Sequence, residues 1–192
     1  MGVPATSRRV QIMDAAAQLF ADHGFHNVSL TEIGRAVGIS GPAVYRHFDK
    51  KDDILGAILV QISEFLLDEA TALGTAHADP RDLLEALVAA HVDFSVTRPE
   101  LIILQWREFG NLRGEDRRTV RRLQRTYIDY WTAVLLKLRP ELSIPEAGAI
   151  VVAAFGLMNS TPFSASRLGP DESRPLLRTL TMDMFAVGPR VG

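Results

Sequence analysis

The sequence predicts an all-α protein, a three-helix N-terminal head carrying a helix-turn-helix on a helical body, about nine helices in all. Three observations predict it. Helical periodicity runs almost unbroken through the 192 residues. Strand signals are scarce. Gly and Pro interrupt the periodicity at points where capping residues restart it. The head is placed at residues 1–52 and the body at 53–192.

The first helix is expected from about Ser7 to Asp22, with Val10, Met13, Ala17 and Phe20 on one face and Gly24 as its stop. In "VSLTEIGRAVG", Ser29 and Glu32 have capping-box spacing, and Val28 and Ile33 occupy the staple positions. They predict a short helix over about 30–37, closed by Gly38. Ser40 repeats the cap, with Ile39 and Val44 as staple, for a helix over about 41–48. Pro42 falls in its first turn, where a missing N–H costs no helical bond. Val44 and Phe48 face inward; Gly41, Pro42, Tyr45 and Arg46 lie mostly on the other side. Two short helices joined by about three residues make a helix-turn-helix, whose second helix enters the DNA major groove. Gly and Ala there let the backbone approach a duplex, and Tyr45, His47 and Lys51 are candidate phosphate donors.

The body reads as helices only. Residues 54–73 form an apolar stripe ended by Gly74, and helices follow over about 80–97, 99–109 and 115–138. Ser143 and Glu146 open the next, which is apolar nearly all round from Ala147 to Met158. A loop over about 161–173 leads to a last helix over about 175–187. Gly148, Ala149, Ala153 and Gly156 would let another helix approach closely. This helix is either the centre of one core or, with the last helix, a symmetric dimer interface. The candidates for that interface are Ile150, Ala153, Ala154, Leu157, Leu177, Leu180 and Met184. Phe94, Trp106, Phe109, Tyr127, Trp131, Met158 and Phe163 either line a body cavity or are plain core, with His91, Arg107 and Asn159 polar in otherwise apolar surroundings, each either a ligand contact or a surface or satisfied core residue. The apolar tone of that lining favours a small hydrophobic effector. The arginines between 113 and 125 read as a solvated helix face.

Composition narrows the function. With no cysteine there is no disulfide, thiolate metal site or thiol nucleophile, which suits a reducing cytoplasm. No run reaches the ~18 apolar residues of a membrane span, so no membrane partner is expected. Net charge is −2 overall, but residues 1–51 hold six Lys/Arg against four Asp/Glu, a balance of +2, and the rest 15 against 19, or −4. A basic head on an acidic body points to an anionic partner at the head. Nothing supports an enzyme: there is no His pair at metal-ligand spacing, no phosphate loop and no nucleophile turn. No metal or cofactor is expected. The remaining rival is a helical binding protein in which the helix-turn-helix is only scaffold.

The stretch "IMDAAAQLFADHGFHNVSLTEIGRAVGISGPAVYRHFDKKDDIL" resembles the DNA-binding head of the TetR/AcrR family of bacterial repressors, over about residues 7–55. The resemblance implies a DNA-binding domain at 1–52 and a ligand-binding and dimerisation domain at 53–192. It implies a homodimer that binds a pseudo-palindromic double-stranded operator and is released by an effector; some relatives sense acyl-CoA thioesters. It places Thr31, Ser40, Gly41, Tyr45, His47 and Lys51 at the DNA face. The chain departs from the family at Lys50, where Ser or Thr often caps the fourth helix, and at Gly41, where a polar side chain often reaches a base.

Overall fold

The computed structural model describes residues 7–164 and 168–186, and among these there are helices and turns but no strand. In chain order the helices are α1 (Arg8–His23), α2 (Leu30–Ala36), α3 (Gly41–Val44), α4 (Lys51–Ala76), α5 (Pro80–Thr97), α6 (Pro99–Glu108), α7 (Gly114–Leu138), α8 (Ile144–Met158), α9 (Thr161–Ser164) and α10 (Pro170–Ala186). The expected all-α class holds. Val187, the expected end of the last helix, lies outside the described residues, as do 165–167 of the expected loop.

The chain forms two compact units. The first takes the residues up to Ile62 together with Ile103–Val120; the second takes Ser63–Ile102 and the residues from Arg121 onward. Neither edge falls at the expected boundary after residue 52. The first turns of α4 carry Ile54, Leu55, Ile58 and Leu59, all buried, and so belong with the head.

Local chemistry explains most helix ends. Ser29 Oγ accepts from Glu32 N–H at 3.2 Å, and the Glu32 carboxylate accepts from Ser29 N–H at 2.7 Å. The Ser29 hydroxyl also donates to that carboxylate at 2.7 Å, and this bond first, then the one from Ser29 N–H, holds the Glu32 carboxyl below the usual carboxylate range. Ser143 and Glu146 build the same box at α8. Asp79 caps α5, accepting from the N–H groups of Arg81 and Asp82. At α4 it is Asp53 that reaches back to Lys50 N–H, at 3.2 Å.

Three expectations change. Gly74 does not stop α4, which continues to Ala76. A side chain there would collide with the Tyr130 hydroxyl of α7, so the glycine marks a close helix approach. The last helix begins at Pro170 rather than near 175, with Pro175 inside it. The carbonyl that Pro175 leaves without an N–H partner belongs to Asp171, an exposed residue. The helix expected over 41–48 is α-helical only through Val44 and continues as turns, with His47 N–H bonded to Val44 C=O at 2.9 Å.

In the second unit α5, α8 and α10 pack together. Ala147, Val151, Ala154 and Met158 of α8 are buried. The opposite face of that helix, at Ala149, Val152, Ala153 and Gly156, is exposed, as are Leu176 and Leu180 of α10. The segment Ile144–Phe163 is apolar enough to cross a membrane by composition alone. Its helix, α8, has 15 residues. At 1.5 Å per residue it spans about 22 Å, short of the ~30 Å hydrocarbon core.

Candidate functional site

The helix-turn-helix depends on two glycines that let α2 and α3 touch. A Cβ on Gly34 would sit 2.9 Å from the Ile39 carbonyl oxygen and 3.2 Å from Ser40 backbone atoms. A Cβ on Gly41 would sit 2.8 Å from Thr31 Oγ1. Gly41, expected at the DNA face, is therefore buried against Thr31. Val44 and Phe48 are buried as expected. The remaining surface presents Thr31, Ser40, Pro42, Tyr45 and Arg46 to solvent, with Tyr45 58% exposed and His47 half-buried. Ser40 makes no side-chain capping bond.

Beside α3 lies an open groove of about 450 Å³, lined by His26, Asn27, Ser29, Tyr45, Lys50 and Lys51 among others. It brings together the Tyr45 phenol, the His26 imidazole and the Lys50 ammonium, with the Asp49 carboxylate also in its lining. Lys51 is the exception to its expected role. Its ammonium donates to the carbonyls of Phe25, His26 and Val28 at 2.6, 3.2 and 2.7 Å, and lies 4.6 Å from the Phe25 ring centroid. It ties the N-terminus of α4 to the turn that precedes α2 rather than pointing a free charge outward.

A second grip on that turn is illegible in the sequence. The buried Glu108 carboxylate accepts the Phe25 N–H at 3.3 Å and the Asn111 side-chain N–H at 2.7 Å. Arg107 beside it donates to the Ala21 carbonyl at 3.2 Å. Arg107, Phe109 and Trp106 all belong to the first unit. Trp106 is 72% exposed, and Phe109 is half-buried with the Arg117 guanidinium 5.8 Å from its ring. Phe163, 61% exposed, belongs to the second unit.

The other expected pocket residues do gather. In the second unit His91 Nε2 donates to Asn159 Oδ1 at 3.1 Å and Nδ1 accepts from the Tyr127 hydroxyl at 3.0 Å. An amide oxygen only accepts, which assigns the imidazole proton to Nε2. Phe155 lies 4.9 Å from His91, 5.2 Å from Tyr127 and 5.0 Å from Trp131, ring centre to ring centre. Phe94 and Met158 are buried in the same unit. The result is an aromatic box around one neutral polar relay. Burial pushes the Tyr127 phenol up and the His91 imidazole down to about 4. Because the unfolded imidazole titrates near 6.5, the unfolded chain binds more protons between those values. Stability is full above about pH 6.5 and falls as pH drops toward 4, by about 3 kcal/mol in total. Urea melts at pH 7 and pH 4.5 should show this loss in the wild type and much less of it in His91→Gln. An equal loss in both would assign the acid sensitivity elsewhere.

Of the expected interface residues, Ala154 and Leu177 are buried in the chain's own core. Ile150, Leu157 and Met184 are half-buried, and Ala153 and Leu180 are exposed. The helical phase explains the split: Ala154 shares the inward stripe of Ala147, Val151 and Met158, while Ala153 points the other way. Val152 and Leu176 are exposed members of the outward face that sequence reasoning missed.

Comparison with known proteins gives two matches to one family. Residues 12–58 match the model of bacterial regulatory proteins of the tetR family, and residues 77–163 match that of the tetracyclin repressor-like C-terminal domain. The HTH-type transcriptional activator FasR of Mycolicibacterium smegmatis is 33% identical over 92 residues, 48% of this chain and 42% of that protein. The HTH-type transcriptional repressor KstR2 of Rhodococcus jostii is 28% identical over 131 residues, 68% of this chain and 64% of its own. The chain thus spans less than two thirds of either relative. A crystal structure of AibR in complex with isovaleryl coenzyme A and operator DNA superposes with a TM-score of 0.75, covering 91% of this chain and 97% of that one. At 19% identity that likeness is one of fold.

Proposed function

We propose, since the chain belongs to the TetR family of bacterial regulatory proteins, that it is a dimeric, effector-responsive repressor which binds a pseudo-palindromic operator. The observation that carries this reading is the outward face of the helix-turn-helix, with Thr31, Ser40, Pro42, Tyr45 and Arg46 presented on two helices locked by Gly34 and Gly41. His47 stands at its edge. Tyr45, Lys50 and His26 grip backbone phosphate and so position the duplex. Repression is the sign in KstR2 and activation the sign in FasR; the longer match favours repression. The protein acts in the cytoplasm, without catalysis. A gel shift with the DNA upstream of its own gene should show binding at low salt that weakens as salt rises. No shift at any salt would leave the helix-turn-helix as scaffold.

The effector is a small hydrophobic molecule, and the aromatic box of His91, Phe94, Tyr127, Trp131, Phe155 and Asn159 is where it enters. An acyl-CoA or another lipid or aromatic metabolite suits apolar walls with one neutral polar relay, and AibR was crystallised with such a thioester. Effector binding releases DNA only by favouring the arrangement that binds DNA poorly.

Lys51 contributes to DNA binding through the fold. In Lys51→Met, three carbonyls lose a charge-assisted donor, and water reaches a half-buried site only in part. The expected cost is about 2 kcal/mol, read as a lower urea midpoint, with operator affinity falling in step. The slope of log affinity against log salt should stay as in the wild type. A slope smaller by about 1 with unchanged stability would show a direct phosphate contact instead.

A further inference from the structure

Most cations of the head are already engaged. Arg8 donates to the Val37 carbonyl at 3.1 Å and to Gln11. Arg9 donates to the His47 carbonyl at 2.7 Å and lies 3.9 Å from the centre of the Phe48 ring. Lys50 pairs with Asp53 at 3.8 Å, and Lys51 is held by its three carbonyls. Arg35 and Arg46 remain exposed, Arg35 with its charge acting on Glu32 and Arg46 with no side-chain hydrogen bond or ion pair among the described residues. Arg35 belongs to α2. Arg46 alone stands on the turns that extend the second helix of the motif, the one that enters a groove.

The side chains of that helix also divide by direction. Tyr45 lines the groove with Lys50 and His26; Arg46 does not. Bonds from Arg46 N–H to Ala43 C=O at 3.3 Å and from Phe48 N–H to Val44 C=O at 3.1 Å carry the chain on as turns that follow the helix past Val44. Successive residues of such turns point about 100–120° apart, so Arg46 lies over Ala43, three residues earlier, with Pro42 beside it. Gly41 offers no side chain and is packed against Thr31. This surface is thus two small apolar side chains followed by one planar fork of N–H donors. That chemistry matches a base edge better than a phosphate: guanine presents O6 and N7 together to a guanidinium, and thymine presents a methyl to apolar contact.

We propose that Arg46 is the sequence-reading residue of the head, pairing with a guanine through O6 and N7 while Pro42 and Ala43 lie against the methyl of a neighbouring thymine. This rests on the duplex-binding reading above and adds which residue reads the sequence. A dimer carries the pair twice, so the operator holds one such guanine in each half-site.

The test binds the full chain and its Arg46→Ala and Arg46→Lys variants to a duplex pool with randomised positions, then measures affinity and salt slope on the preferred duplex. The wild type should enrich a guanine at one fixed position of each half-site. Arg46→Ala should lose that preference, keep the others, and bind the guanine-containing duplex about 10-fold or more weakly. Arg46→Lys, which keeps the charge without the fork, should lose most of the preference while retaining the wild-type salt slope. Equal weakening of Arg46→Ala on every duplex, with a slope smaller by about 1, would make Arg46 a phosphate contact and overturn the proposal. A wild type that binds duplex DNA without any preferred guanine overturns it too, and leaves duplex binding standing. A wild type that binds no duplex at low salt overturns the DNA reading itself.

Discussion

Val44→Asp is expected to abolish DNA binding by unfolding the head. Val44 is fully buried, on the face of α3 opposite Pro42 and Arg46. The nearby polar groups of α2 and α3 are spent on each other: Ala43 N–H on Ser40 C=O, Ile39 N–H on Gly34 C=O. Charged, the side chain faces full desolvation; protonated, it still buries a hydroxyl without an acceptor. Either route costs about 4 kcal/mol or more, a large part of the stability of a small domain. Operator binding should fall by more than about 100-fold. Hydrogen exchange should show head amides losing protection while amides of α5, α8 and α10 keep theirs. Val44→Ala, which leaves only a small cavity, should lose about 1–2 kcal/mol and still bind. If Val44→Asp melts like the wild type and shifts the operator normally, Val44 does not hold α3.

The head was the legible part because its signals are local. A capping box needs two residues three apart, so Ser29 with Glu32 and Ser143 with Glu146 could be read directly, and both form. The same logic failed at Ser40. There the helix is a single turn, and the Ser40 carbonyl rather than its hydroxyl takes the Ala43 N–H. What depends on long-range geometry was not visible. Lys51 folds back on a turn 23–26 residues earlier, and Glu108 reaches Phe25 across 83. No spacing rule connects such positions. Gly41 and Gly74 looked like a groove contact and a helix stop, yet both are places where another element crosses. In the body, α8 is apolar nearly all round, so periodicity could not assign its faces. That is why periodicity marks neither Phe155 as a box residue nor Ala154 as an inward one.

The phase of α8 leads to the other large effect. Ala149, Val152, Ala153 and Gly156 form an exposed stripe of small and branched apolar residues, and Leu176 and Leu180 of α10 add two exposed leucines in the same unit. Small residues let backbones approach, and a face this apolar on paired helices suits a self-complementary contact between two copies. Ala153→Arg should therefore break the dimer without unfolding the chain. In the monomer the new side chain lies in water, because Ala153 is exposed, so the melting curve extrapolated to low protein concentration should be close to wild type. In the dimer the guanidinium would meet its two-fold mate in an apolar seam with no carboxylate on that stripe. Two buried like charges cost several kcal/mol, enough to raise the dissociation constant by about 100-fold or more. Sedimentation velocity at micromolar concentration should give a dimer for the wild type and a monomer for the variant. Operator affinity should fall with it, since one head alone reads half of a two-fold site. Ala154→Arg is the contrasting variant: Ala154 is fully buried within the chain, so that substitution should unfold the second unit. A wild type that sediments as a monomer, or an Ala153→Arg that remains a dimer, would place the contact elsewhere.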